Sequence, residues 1–125
     1  HATSVVGSVS HTNSSTTFAT SSDYRLKENV SYTWDATTRL KQLKPARFNF
    51  ISDETNTLVD GFLAHEVSSI VPEAITGEKD AVDSEGNPEY QGIDQSKLVP
   101  LLTKAIQEQQ TIIDDLKTRI ETLER

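Results

Sequence analysis

The C-terminal stretch 94–125 constrains the fold more than any other part of the chain. Its stripe positions step by four and three: Leu102, Ile106, Gln109, Ile113, Leu116, Ile120 and Leu123. That puts Ile106, Ile113 and Ile120 at a positions of a heptad, with Leu102, Gln109, Leu116 and Leu123 at d. Asp94 or Ser96 caps the start, and Pro100 falls in the first turn, where its missing N–H costs little. The spacing predicts one helix of roughly 30 residues, about 45 Å long at 1.5 Å per residue. A solitary helix would leave this stripe in water, so the pattern points to self-association. Ile at a with Leu at d favours two strands, yet Leu98, Ala105 and Ile112 at g widen the stripe beyond a two-helix seam. The extra width suits a trimer, and it suits packing on a globular part equally well. Gln109 is a polar register device whose amide needs partners if buried. Asp115 and Arg119 form an i,i+4 pair of favourable polarity. Glu108, Asp114, Asp115, Lys117 and Glu121 read for the most part as a solvated face.

The remainder has little material for a core. Hydrophobic residues make up 34% of 125, below the ~45–50% of typical domains on a count that also includes Gly. One domain with a modest core is expected, its burial completed by a partner, for which copies of itself are one candidate. The net charge of −7 leaves no basic stripe for a phosphate backbone, so nucleic acid is not an expected partner. No apolar run approaches the ~20 residues of a membrane span. There is no cysteine, hence no disulfide framework and no thiolate metal site. His1, His11 and His65 lack ligand spacing, and no Gly-rich phosphate loop is present, so no metal or cofactor is expected. The chain begins at His1 with no signal-like segment and reads as a C-terminal piece of a longer protein.

Three zones follow. Residues 1–21 are rich in Ser and Thr, with Val5, Val6, Val9 and Phe18 as apolar anchors. They read either as a flexible linker or as the end of an elongated β-rich stalk. Residues 22–93 form a small mixed globular region. Asp35 starts a short helix, ATTRLKQL, that ends before Pro45. Ala46–Ile51 and Thr57–Ala64 alternate as strands that can pair as a hairpin. His65–Val71 is a short helical segment stopped at Pro72, and Ser84–Pro88 is a turn. Residues 94–125 are the long oligomerising helix. The fold class is α+β.

One pair of residues carries chemistry. Ser22 and Lys27 lie five apart in Ser22-Asp23-Tyr24-Arg25-Leu26-Lys27. A serine hydroxyl is a weak nucleophile until a base takes its proton. Lysine serves only when neutral, and a water-exposed lysine is ordinarily charged near neutral pH. Burial in an apolar interface favours the neutral form, so a Ser–Lys dyad works once assembly has dried its surroundings. The plain alternative is a solvated Lys27 paired with Asp23 or Glu28. His65 and Glu66 are further candidates for a supporting role, beside the simpler reading of His65 as a helix-start residue. Asp23 and Asn29 either brace the motif or serve as turn residues.

The blocks SSDYRLKENV, LKQLKPARFNF, GFLAHEV, VPEAITG and QGIDQSKLVPLLTKAIQEQQ, in that order over roughly residues 22–110, resemble one family. It is the C-terminal intramolecular chaperone domain of phage tail spikes and fibres, named after the endosialidase version. The resemblance implies a homotrimer with a helical bundle or coiled coil that helps the upstream stalk of the same polypeptide to fold and register. It then implies release by self-cleavage, with Ser22 as nucleophile, Lys27 as base, and the bond between Ser21 and Ser22 as the one cut. The expected setting is a virion tail appendage precursor, made in the host cytoplasm. Two alternatives are a trimerisation module that never cuts and a receptor-binding tip using the 53–56 and 78–90 loops.

Overall fold

The computed structural model describes residues 7–125; His1, Val5 and Val6 lie outside the described residues. Two compact units share the chain, the first ending at Trp34 and the second spanning Asp35–Arg125.

In the first unit, strand β1 (Gly7–His11) pairs antiparallel with β2 (Thr16–Thr20), Val9 facing Phe18. The connection closes with the Thr12 N–H donating to the Ser15 carbonyl at 2.7 Å. The Thr12 hydroxyl oxygen also accepts from the backbone N–H groups of Ser14 and Ser15. The described part of this zone is a β-ribbon, in keeping with its Thr and Val content. Both faces of the ribbon are exposed, and a two-stranded ribbon is at best marginal alone.

The second unit begins with α1 (Thr37–Leu40). The Asp35 carboxylate accepts from the Thr38 N–H at 3.2 Å, as a capping residue should. Strand β3 (Ala46–Phe48) pairs antiparallel with β4 (Val59–Gly61), and Arg47 crosses to Asp60 at 2.8 Å. Gly61 makes room for the Phe48 ring, which a Cβ there would meet at 3.2 Å. The hairpin pairs as expected, but its strands are shorter than the alternation suggests. The Asp53 carboxylate gathers the N–H groups of Thr55 and Thr57, and Asn56 turns left-handed at φ 52°. These bonds commit residues 50–57 to a closed loop instead of further ladder.

Helix α2 (Ala64–Ser68) follows, then a 3-10 turn at Pro72–Ala74. Strands β5 (Ile75–Thr76) and β6 (Gly92–Ile93) pair antiparallel. Between them, Asp83 organises the expected turn by accepting from the N–H groups of Glu85 and Asn87. A 3-10 turn (Gln95–Leu98), capped by Asp94, leads into α3 (Val99–Leu123). The fold is α+β: small antiparallel pairs and short helices beside one long C-terminal helix.

The core joins Ala36, Val67, Val71, Ala74, Leu98, Leu101 and Ala105, with Leu40, Phe62 and Ile93 packed against it. Part of the width of the helical stripe thereby finds its reason, although Ile112 at g stays exposed. Leu98 and Ala105 at g, with Leu101 at c, pack on the globular part. The a and d residues next to them face outward. Glu108, also at c, departs from the solvated-face reading. Its carboxylate accepts from the Ala36 N–H at 2.7 Å, the Thr37 N–H at 3.0 Å and the Thr37 hydroxyl at 2.5 Å. Ala36 has no side chain that can cap α1, so a carboxylate from α3 satisfies the orphan donors.

Candidate functional site

Strand β2 ends at Thr20, and the chain turns sharply through residues 22–27. Asp23 makes the turn. Its side-chain oxygen accepts from the Arg25 N–H at 2.9 Å and so caps the 3-10 turn Tyr24–Leu26. The Leu26 N–H donates to the Asp23 carbonyl, and the Lys27 N–H to the Tyr24 carbonyl, both at 3.1 Å. The reversal, with Lys27 leaving the turn in an extended conformation, brings its side chain back to Ser22. The Lys27 ammonium donates to Ser22 Oγ at 2.7 Å.

Asp23 is not free to pair with Lys27. Arg25 clasps it with both arms, Nε to Oδ1 at 2.9 Å and Nη2 to Oδ2 at 3.0 Å. The Arg25 side chain, then its backbone N–H, hold the Asp23 carboxyl below the usual carboxylate range. Among the described residues, no carboxylate forms an ion pair with Lys27. The solvated pairing of Lys27 with Asp23 or Glu28 is therefore not the arrangement present. Asn29 sits just beyond with φ 54°, the left-handed conformation of a turn residue.

The chemical content of this contact is specific. A charged lysine donates to the hydroxyl oxygen. Once neutral, the same amine can accept from the hydroxyl, with no change of partner, and so act as a general base. In the single chain Ser21, Ser22 and Lys27 are all exposed.

The other expected residues lie in the second unit. His65 is exposed on α2, where its carbonyl accepts from the Ser68 hydroxyl at 3.1 Å, and its side chain lines an open cavity of about 530 Å³ with Glu78, Asp80 and Tyr90. Glu66 is half-buried and lies 3.5 Å from Lys44. Along α3, Leu102, Ile106, Gln109, Ile113, Leu116, Ile120 and Leu123 are all exposed, the apolar ones by 44–84%. Two side chains that brace these elements escaped sequence reasoning. Arg25 had a signal, its place two residues after a capping Asp. Glu108 had only its position at c, beside the g edge.

Residues 22–76 match the family model described as the chaperone of endosialidase, which is named as a peptidase family. That match supports the family its sequence blocks resemble, a chaperone family, and fits a phage tail precursor. A search of curated proteins finds no match to the chain. Among the described residues, no helix is long and apolar enough to cross a membrane.

Proposed function

We propose that this chain trimerises through α3, helps a β-rich phage tail stalk to fold in register, and then cuts itself between Ser21 and Ser22. The observation that carries the reading is the 2.7 Å contact between Lys27 Nζ and Ser22 Oγ, with the neighbouring carboxylate held elsewhere.

Ser22 follows the bond to be cut, so its Oγ reaches the Ser21 carbonyl carbon through a five-membered ring. Lys27 takes the hydroxyl proton as the C–O bond forms and returns it to the Ser22 nitrogen as the C–N bond breaks. The product is an ester between the Ser21 carboxyl and Ser22 Oγ. Water hydrolyses it, leaving a carboxylate on Ser21 and a free hydroxyl and amine on Ser22. Exclusion of water on assembly supplies the neutral lysine.

The exposed a/d stripe of α3 supports the assembly half. Association of chains brings stalk strands to high effective concentration, which helps interchain β pairing past its entropic barrier. Cutting afterwards makes assembly hard to reverse, a kinetic form of stability.

The test is intact mass of the chain as wild type, Ser22→Ala and Lys27→Ala. A wild-type product that begins at Ser22, absent in both variants, is the expected result. Trimers that stay intact would reduce the function to a permanent trimerisation tip.

A further inference from the structure

We propose that Arg25 is a positioning residue for the Ser22–Lys27 pair: by clasping the Asp23 carboxylate, it keeps that carboxylate away from the Lys27 amine. This rests on the reading of Ser22 and Lys27 as nucleophile and base. The turn contains a conflict that Arg25 resolves. Asp23 is needed as a cap, because its oxygen on the Arg25 N–H shapes the turn that returns Lys27 to Ser22. Yet a carboxylate is an anion beside a lysine that must lose its charge. An opposite charge within ~4–6 Å favours the charged form of a lysine.

The guanidinium suits the task. Its planar fork meets both oxygens of one carboxylate, at 2.9 and 3.0 Å, and it stays charged at any working pH. Asp23 Oδ1 then holds two donors and Oδ2 one. Besides Lys27 itself, the titratable and charged side chains of the described first unit are His11, Asp23, Tyr24, Arg25, Glu28 and Tyr32. Of these, Asp23 alone sits next to the nucleophile and within the turn that carries the lysine.

The test is a double-mutant cycle in the 125-residue chain, with cleavage followed by intact mass as a function of pH. Arg25→Met is expected to slow cleavage about tenfold near neutral pH and to move the rising limb of the profile about one pH unit higher. In an Asp23→Asn background, where the cap remains but the charge does not, Arg25→Met should change the rate less than about twofold. Equal slowing in both backgrounds with an unmoved limb would make Arg25 a brace for the turn and overturn the proposal. So would an Arg25→Met variant that cuts like wild type. A second readout separates this idea from the cleavage reading. The side chain of Lys27 is titrated by NMR in Ser22→Ala backgrounds, which need no cleavage. A midpoint raised by Arg25→Met only when Asp23 is present supports the clasp, even if the wild-type chain never cuts. An unmoved midpoint overturns it.

Discussion

An arginine at position 27 would keep a cationic donor facing Ser22 Oγ but could not take up a proton. That separates a base from a mere hydrogen-bond partner. Lys27→Arg is expected to lower the rate of cleavage by about 10²–10⁴-fold, the usual worth of a general base, as read from intact mass over time. Cleavage at an undiminished rate would remove Lys27 from the chemistry. At this scale the sequence was informative because the interval between Ser22 and Lys27 is short. A spacing of five can bring two side chains together only if the segment turns, and Asp23 provides a cap that makes it turn. What the spacing could not say is which cation Asp23 would choose. Arg25 wins because its fork reaches back within the same turn, at 2.9 Å.

The short elements depend on side chains that act from a distance in sequence. Glu108 lies more than two-thirds of the way along the chain, yet it caps α1 from α3. Glu108→Ala should lower the melting temperature of the second unit by on the order of 5 °C for a domain of this size, measured by circular dichroism. An unchanged transition would mean that water caps α1 as well. The Ala36 N–H, the Thr37 hydroxyl and the Thr37 N–H hold the Glu108 carboxyl below its ordinary range. The Thr55 hydroxyl and the N–H groups of Thr57 and Thr55 bring Asp53 down to about 2. For both, the folded state binds protons less readily than the unfolded chain. Their contribution is complete above the ordinary carboxylate range, near pH ~4–5, and fades as pH falls through the lowered values. Stability should therefore be flat near neutrality and decline toward pH 2, with a shallower decline in Glu108→Gln. Equal declines in the two proteins would contradict the role of Glu108.

Element existence was legible in the sequence, and element length was not. The β3–β4 hairpin forms where alternation predicts, but Phe50 lies past the end of β3 and packs edge-on against Phe48, centroids 5.3 Å apart. Alternation reports which residues could line a strand; the hydrogen bonds of Asp53 decide where the ladder stops. The helix was the reverse case. Its heptads were plain and its cap was narrowed to Asp94 or Ser96, though Asp94 caps a 3-10 turn before α3 proper; Glu108 was hidden because its partners, two backbone N–H groups and the Thr37 hydroxyl, follow no sequence pattern.

The whole molecule is a chain whose two faces of one helix have different work. Leu98, Leu101 and Ala105 are buried against the globular part, and the a/d stripe is left in water. Leu101→Ala, at 3% exposure, should cost about 2–5 kcal/mol of stability, seen as a lower denaturation midpoint in urea. Leu116→Asp should leave that midpoint near wild type for the isolated chain and abolish self-association in sedimentation. A Leu116→Asp chain that still assembles would show that the stripe is not the contact surface. The stripe was legible as a whole, but its division between buried core and exposed face was not, since both parts are apolar.

The most direct measurement of assembly-gated self-cleavage is the rate of Ser22-starting product as a function of chain concentration, with the oligomeric fraction determined by native mass spectrometry in the same samples. The account predicts that product forms in proportion to the trimeric fraction and that Leu116→Asp, held monomeric, stays intact. Cleavage at full rate in the monomer, or none in fully formed trimers, would contradict it.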